Sequence, residues 1–223
     1  MNKSIKYLFL IVVFGICTSI FAQGKLDQGI PKTLSIDGQT LSTNYQLILS
    51  NNKEKVVALK SLLKKADELV NEAIVYSVMD KKQTPPSGDK HDYMSTGPYW
   101  WPDPSKPDGL PYIKKDGQRN PAYYDISDSQ EIDKLEDASL SLALAYYFTK
   151  QVKYANFASK LLKTWFLNPE TRQNPHLNFG QGIPGLNTGR GTGIIETRDL
   201  FRVGDAAILI QGSPNWNNND HEE

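Results

Sequence analysis

One stretch of this sequence, residues 168–198, gathers most of the side chains able to grip or transform a polar ligand: His176, Asn178, Gln181, Arg190, Glu196 and Arg198. Arginine holds a carboxylate or phosphate through a planar fork, Asn and Gln add neutral hydrogen bonds, and histidine exchanges protons. Six glycines lie among them, and glycine lets the backbone approach a ligand closely. These residue types together suit a polar, anionic substrate. Irregular loops of this length are uncommon in compact domains unless they are functional.

Several chemistries are excluded or left without support. Gly189-Arg190-Gly191-Thr192-Gly193 has the glycine content of a phosphate loop. It matches neither the P-loop nor the dinucleotide fingerprint, and no strand is predicted before it, so nucleotide binding is rejected. No second histidine stands at ligand spacing from His176, so no metal centre is expected. No cofactor is implied. A glycosidase needs two carboxylates across a cleft. Asp92, Asp103, Asp125 and Glu196 are candidates, but no spacing singles out a pair. Glu196 and Arg198 can also simply pair with each other or with neighbours.

A second unusual segment is Tyr93-Met94-Ser95-Thr96-Gly97-Pro98-Tyr99-Trp100-Trp101-Pro102-Asp103-Pro104. Neighbouring side chains of an extended segment point to opposite sides. One of Trp100 and Trp101 is therefore expected to plug the core while the other faces a cleft. Tyr99 is a candidate sugar platform or hydroxyl donor.

The elements that must position these loops read as helices. Over residues 52–78, Val56, Val57, Leu59, Leu62, Leu63, Ala66, Leu69, Val70, Ala73 and Ile74 form one face, with Asn51 or Asn52 as cap. Residues 80–125 lose all periodicity to eight prolines and read as an ordered loop or lid, too rich in tyrosine and tryptophan for a linker. A second helix is predicted over Ser129–Thr149, with Asp128 and Glu131 as a capping pair. Leu135, Ala138, Leu142, Ala145 and Tyr146 form its inner face. A third, Val152–Leu167, turns Tyr154, Phe157, Leu161, Leu162 and Trp165 inward and forms an antiparallel hairpin with the second. A fourth runs from Ile194 to Gln211, stopped by Gly212-Ser213-Pro214. No strand is predicted. Asn217 to Asp220 offers the cap of a fifth helix, with Glu222 and Glu223 suited to its first turn, so the chain reads as a fragment of a longer protein.

Residues 1–22 read as a secretory signal peptide: Lys3 and Lys6, then an apolar run from Leu8 to Ile20, with Ala22 at the cleavage position. Ile16 before Cys17 fits a lipoprotein site poorly. The expected location is the periplasm or the exterior of a bacterial cell, without a membrane span once the signal is removed. Residues 23–50 read as an extended lead-in and 51–223 as the folded domain, about the size of one sizeable core. Cys17 is the chain's one cysteine, so the processed chain has no disulfide and no thiolate chemistry. Without Lys3 and Lys6 it carries 23 basic and 25 acidic side chains and no basic block, which argues against nucleic acid as a partner.

Three motifs together carry a resemblance. They are Met94 through Pro104, then Asp116-Gly117-Gln118-Arg119-Asn120-Pro121, and finally His176-Leu177-Asn178-Phe179-Gly180-Gln181 with Gly189-Arg190-Gly191-Thr192-Gly193-Ile194-Ile195-Glu196. With these the chain resembles the alginate lyase domain family over roughly residues 55–216. The resemblance implies an all-α fold, an incomplete (α/α) toroid of antiparallel helical hairpins with long ordered loops. It also implies β-elimination on an anionic uronic acid polymer such as alginate or glucuronan, with no metal required. His176, Arg190 and Tyr99 would be the catalytic candidates, and Asn178, Gln181, Trp100, Trp101, Glu196 and Arg198 would contact substrate. In the family a further Asn-His pair and a catalytic tyrosine lie downstream, and no such motif follows Trp216 here. The alternatives are a glycan-binding protein without turnover, an inactive lyase fragment, and an (α/α)-barrel glycosidase.

Overall fold

A computed structural model describes residues 29–222. The proposed signal peptide, the first residues of the lead-in and Glu223 lie outside the described residues.

The centre of the molecule is helix α3, Asp128–Thr149, which packs against α2 (Lys53–Glu72), α4 (Val152–Leu162) and α5 (Phe201–Ile210). Ile132, Leu135, Ala138, Leu142, Ala143 and Ala145 of α3 are buried, and so are Tyr154, Phe157, Leu161 and Leu162 of α4. Lys150, in the left-handed conformation, ends α3, and Gln151 leads directly into α4. The two helices form the antiparallel hairpin that their spacing predicts. Asn52 caps α2 by accepting from the Lys55 amide at 3.2 Å. Leu62, Leu63, Ala66, Leu69 and Val70 of the predicted face pack into the core, but Val57 is exposed, and α2 ends at Glu72, before exposed Ala73 and Ile74.

Several expectations need correction. Residues 38–49, read as extended, form helix α1. Its sequence is largely polar, but Asp37 starts it by accepting from the Gln39 amide and the Thr40 hydroxyl, both at 2.9 Å. The residues just before it are bound to α5. The buried Asp205 carboxylate accepts from the backbone amides of Leu34, Ser35 and Ile36 and from the Ser35 hydroxyl. The third predicted helix is α4 followed by a wider π turn at Lys163–Leu167, with Trp165 buried. The fourth is divided: a 3₁₀ segment at Gly191–Thr197 precedes α5. Asp128 and Glu131 do not cap α3. Ser127 occupies that position, while the Asp128 carboxylate turns inward to Lys81 Nζ at 3.1 Å and the Met94 amide at 2.9 Å. Glu131 accepts from the Ser77 amide at 3.0 Å. A buried carboxylate needs a cation and donors, and that need outweighs the cap. Burial pushes Asp128 up to about 6, against the pull of Lys81, and pushes the Lys81 ammonium down.

Four short strands are also present. β1 (Met94–Thr96) pairs in parallel with β4 (Phe179–Gly182), and β2 (Trp100–Trp101) pairs antiparallel with β3 (Ile113–Lys114). They are too short for an alternating pattern to register in sequence. A short helix, α6 (Asn218–Glu222), follows buried Trp216. Asn217 and Asp220 cap it reciprocally, amide to side chain, at 2.9 and 3.2 Å. Among the described residues no helix is long and apolar enough to cross a membrane.

Candidate active site

A cavity of about 600 Å³ is lined by Pro175, His176, Leu177, Asn178, Gly189, Arg190, Gly191 and Ile194. Three of the sequence candidates, His176, Asn178 and Arg190, therefore share one wall. No carboxylate lines the cavity.

The walls are held by backbone approaching backbone. A Cβ on Gly189 would collide with the Asn178 carbonyl oxygen, and one on Gly193 would sit 2.9 Å from the Gly180 backbone. These glycines let the 189–193 segment lie flat against β4. Their proximity is to the protein's own chain, where the sequence suggested proximity to a ligand.

Each polar candidate has a definite holder. His176 Nε2 lies 3.1 Å from Asp92 Oδ1. Asp92 is buried and also accepts from Asn174 Nδ2 at 2.6 Å and Ser87 Oγ at 2.6 Å. Phe179 packs edge-on to the imidazole, with ring centroids 6.2 Å apart. His176 Nδ1 is enclosed and has no hydrogen-bond partner among the described residues. Arg190 is fixed by one residue: its Nε donates to the Gln181 carbonyl at 3.0 Å and its Nη2 to Gln181 Oε1 at 2.7 Å. The guanidinium carbon also lies 6.0 Å from the Trp100 ring centre. Asn178 is exposed, and its side chain makes no hydrogen bond among the described residues.

The other candidates sit elsewhere. Glu196 lies behind the wall and accepts from Tyr93 Oη at 2.8 Å, Ser95 Oγ at 2.6 Å and Tyr123 Oη at 3.3 Å. Burial first, and the Glu196 charge second, push the Tyr93 phenol well up, so it stays a neutral donor. Arg198 is exposed and pairs with Asp199 at 3.5 Å. Trp101 donates to the Gln118 carbonyl at 2.8 Å, with the Lys115 ammonium 5.0 Å from its ring centre. Tyr99 is partly exposed and does not line the cavity. Trp100 and Trp101 are both half-buried, so neither is the core plug their alternation suggested.

Sequence reading missed Ser95 and the orienting role of Asp92. Asp92 stood only among the hydrolase carboxylates. Its partner His176 is far away in sequence, and nothing local marks the pair. Among the described residues no cluster of His, Cys, Asp and Glu is arranged to hold a metal ion.

Residues 77–223 match the family described as alginate lyase. A solved structure of an alginate lyase from Bacteroides ovatus is 43% identical to this chain, with a TM-score of 0.79. The match covers 85% of this chain and 50% of that one, so this chain spans about half the length of the solved relative. No curated protein matches it. On the family match and the identity together, the chain belongs to the alginate lyase family.

Proposed function

We propose that this chain carries part of the active site of a polysaccharide lyase that cleaves a uronic acid polymer, alginate or a glucuronan, by β-elimination. The observation that carries this reading is the shared wall of one cavity by His176, Asn178 and Arg190, with no carboxylate on that wall.

The chemistry sets the roles. The C5 proton of a uronate is weakly acidic, and elimination places negative charge on the C6 carboxylate as that proton leaves. Arg190 and Asn178 would hold the carboxylate and gain strength as charge develops. A base takes the C5 proton, the electron pair forms the C4–C5 double bond, and the C4–O4 bond breaks, with O4 leaving to be protonated. Of the lining side chains only the His176 imidazole can exchange a proton. Asp92 holds it through Nε2 and Nδ1 is enclosed, so in this reading the ring turns on substrate binding to bring a nitrogen to the C5 proton. Gln181, first considered for direct contact, serves Arg190 in this reading. Trp100 backs the same guanidinium, and Tyr99 stands outside the cavity lining. Arg198, Trp101 and Glu196 act away from the substrate.

The helical hairpins are, in this reading, part of an incomplete (α/α) toroid. Residues 1–22 direct export to the periplasm or beyond. The hydrolase alternative lacks its pair of carboxylates in the cavity. The binding-only alternative has one observation in its favour: His176 Nε2 is engaged by Asp92 and Nδ1 is enclosed.

The test is incubation of the protein with alginate and with glucuronan, following both reducing ends and the ultraviolet absorbance of the unsaturated uronate. Both signals rising together identifies a lyase and its polymer. Reducing ends without the chromophore mean hydrolysis. Retention of polymer with neither signal means binding alone.

A further inference from the structure

Where β1 pairs with β4, the ladder is irregular. Met94 faces Phe179 and Thr96 faces Gly182, so β4 holds one more residue than β1 across the same interval. That makes a bulge, and bulges re-aim side chains beside functional sites. Gln181 lies within it with φ +49°, in the left-handed region that a residue with a side chain seldom occupies. Such a conformation is strained and persists only where surroundings enforce it.

The enforcing contacts form a chain. The Gln181 amide donates to Ser95 Oγ at 2.7 Å, replacing the ladder bond that the bulge removes. Ser95 Oγ in turn donates to Glu196 at 2.6 Å. Ser95 is buried and has one hydroxyl proton, so Glu196 fixes which way that hydroxyl points and leaves its lone pair for the Gln181 amide. With its amide held, Gln181 turns both its carbonyl and Oε1 onto Arg190. Tyr93 and Tyr123 complete the donors around Glu196 and hold it as the fixed end.

We propose that Ser95 and Glu196 are positioning residues that act through the Gln181 bulge to aim the Arg190 guanidinium into the cavity. The kinetic part of this proposal rests on the lyase reading; the structural part does not. Glu196 thereby acts through Arg190, with no contact to substrate of its own.

The experiment compares Ser95→Ala with Ser95→Thr, which keeps the hydroxyl, in the full chain. Nuclear magnetic resonance reads the hydrogen exchange of the Arg190 Nε–H, and kinetics on the uronan that the wild type cuts supply the second readout. The expected result is a slowly exchanging Nε–H in wild type and Ser95→Thr, and a fast one in Ser95→Ala. kcat/KM should fall in Ser95→Ala by roughly ten- to a hundredfold, the scale of a misplaced binding group, and recover in Ser95→Thr. If Ser95→Ala does not fold, Glu196→Gln carries the same test, because it weakens the acceptor and keeps the shape. A slow Nε–H in Ser95→Ala, or equal damage in Ser95→Ala and Ser95→Thr, overturns the proposal. Lost protection in Ser95→Ala together with a wild type that cuts no uronan keeps the positioning chain and removes the lyase reading instead.

Discussion

The helical layer and the glycine-rich wall are built on opposite principles. Around α3 the structure is held by apolar volume: Leu135, Leu142, Leu161 and Trp165 are fully buried. Around β4 the side chains contribute little volume. Glycines remove it so that the chain can lie against itself, and a few hydrogen bonds, accepted by Asp92, Ser95 and Gln181, set the geometry. Burial of apolar area is forgiving in direction and large in sum. Hydrogen-bonded loops are smaller in energy and strict in direction. The difference places stability in one region and aim in the other.

The contrast between stability and aim can be tested by substitution. The largest effect concerns the helical layer: Leu142→Ala should lower global stability by about 2–5 kcal/mol, read as an earlier cooperative unfolding transition. A loss confined to activity, with stability unchanged, would contradict the division. Next, Gly193→Ala brings a Cβ against the Gly180 backbone, which cannot yield as a side chain does. The proposed lyase activity should fall on the order of a hundredfold while helical circular dichroism is retained. Full activity there would show that the wall is more plastic than its contacts imply.

Asp92→Asn keeps the shape and removes the acceptor charge facing His176. Turnover should drop by roughly ten- to a hundredfold, with kcat affected more than KM. An unaltered kcat would remove His176 from the chemistry.

The smallest effect returns to the helical layer. Glu136 of α3 is buried, its Oε1 has no partner among the described residues, and Asp133, Asp199, Arg198 and Arg202 surround it. Burial, with Asp133 and Asp199 adding to it, raises its carboxyl to about 7. The folded state therefore holds this proton more tightly than the unfolded state. The stability it brings is full below the ordinary glutamate range and is lost as pH rises through about 7. Glu136→Met should stabilise the protein by about 1–2 kcal/mol at pH values above that range and by less in acid. A gain independent of pH would assign the effect to packing alone.

The two regions also differ in how far their sequences can be read. The α3–α4 hairpin is legible residue by residue, because a period of 3.6 is a local property of the chain. Helix α1 escaped because its stability comes from the Asp37 cap and from tertiary packing, with Leu41 its one buried large apolar side chain. Asp128 was misread as a cap because its local spacing is that of a cap, while its partner Lys81 lies 47 positions earlier.

At the site, residue types were informative and residue roles were not. His176, Asn178 and Arg190 could be picked out as candidates from their chemistry and their loop, and all three line the cavity. The same reasoning put Gln181 and Glu196 beside them with equal force, and the structure turns both onto the protein itself. The α2, α3 and α4 helices, the family and the segment that carries the polar groups were legible in the sequence, because propensity, periodicity and composition act over short separations. Which groups face the cavity, and which hold those that do, is set by contacts between distant segments. Asp92 meets His176, and Ser95 meets both Gln181 and Glu196, across more than 80 residues. Hydrogen bonds over such separations exist only once the helices have brought the two loops together.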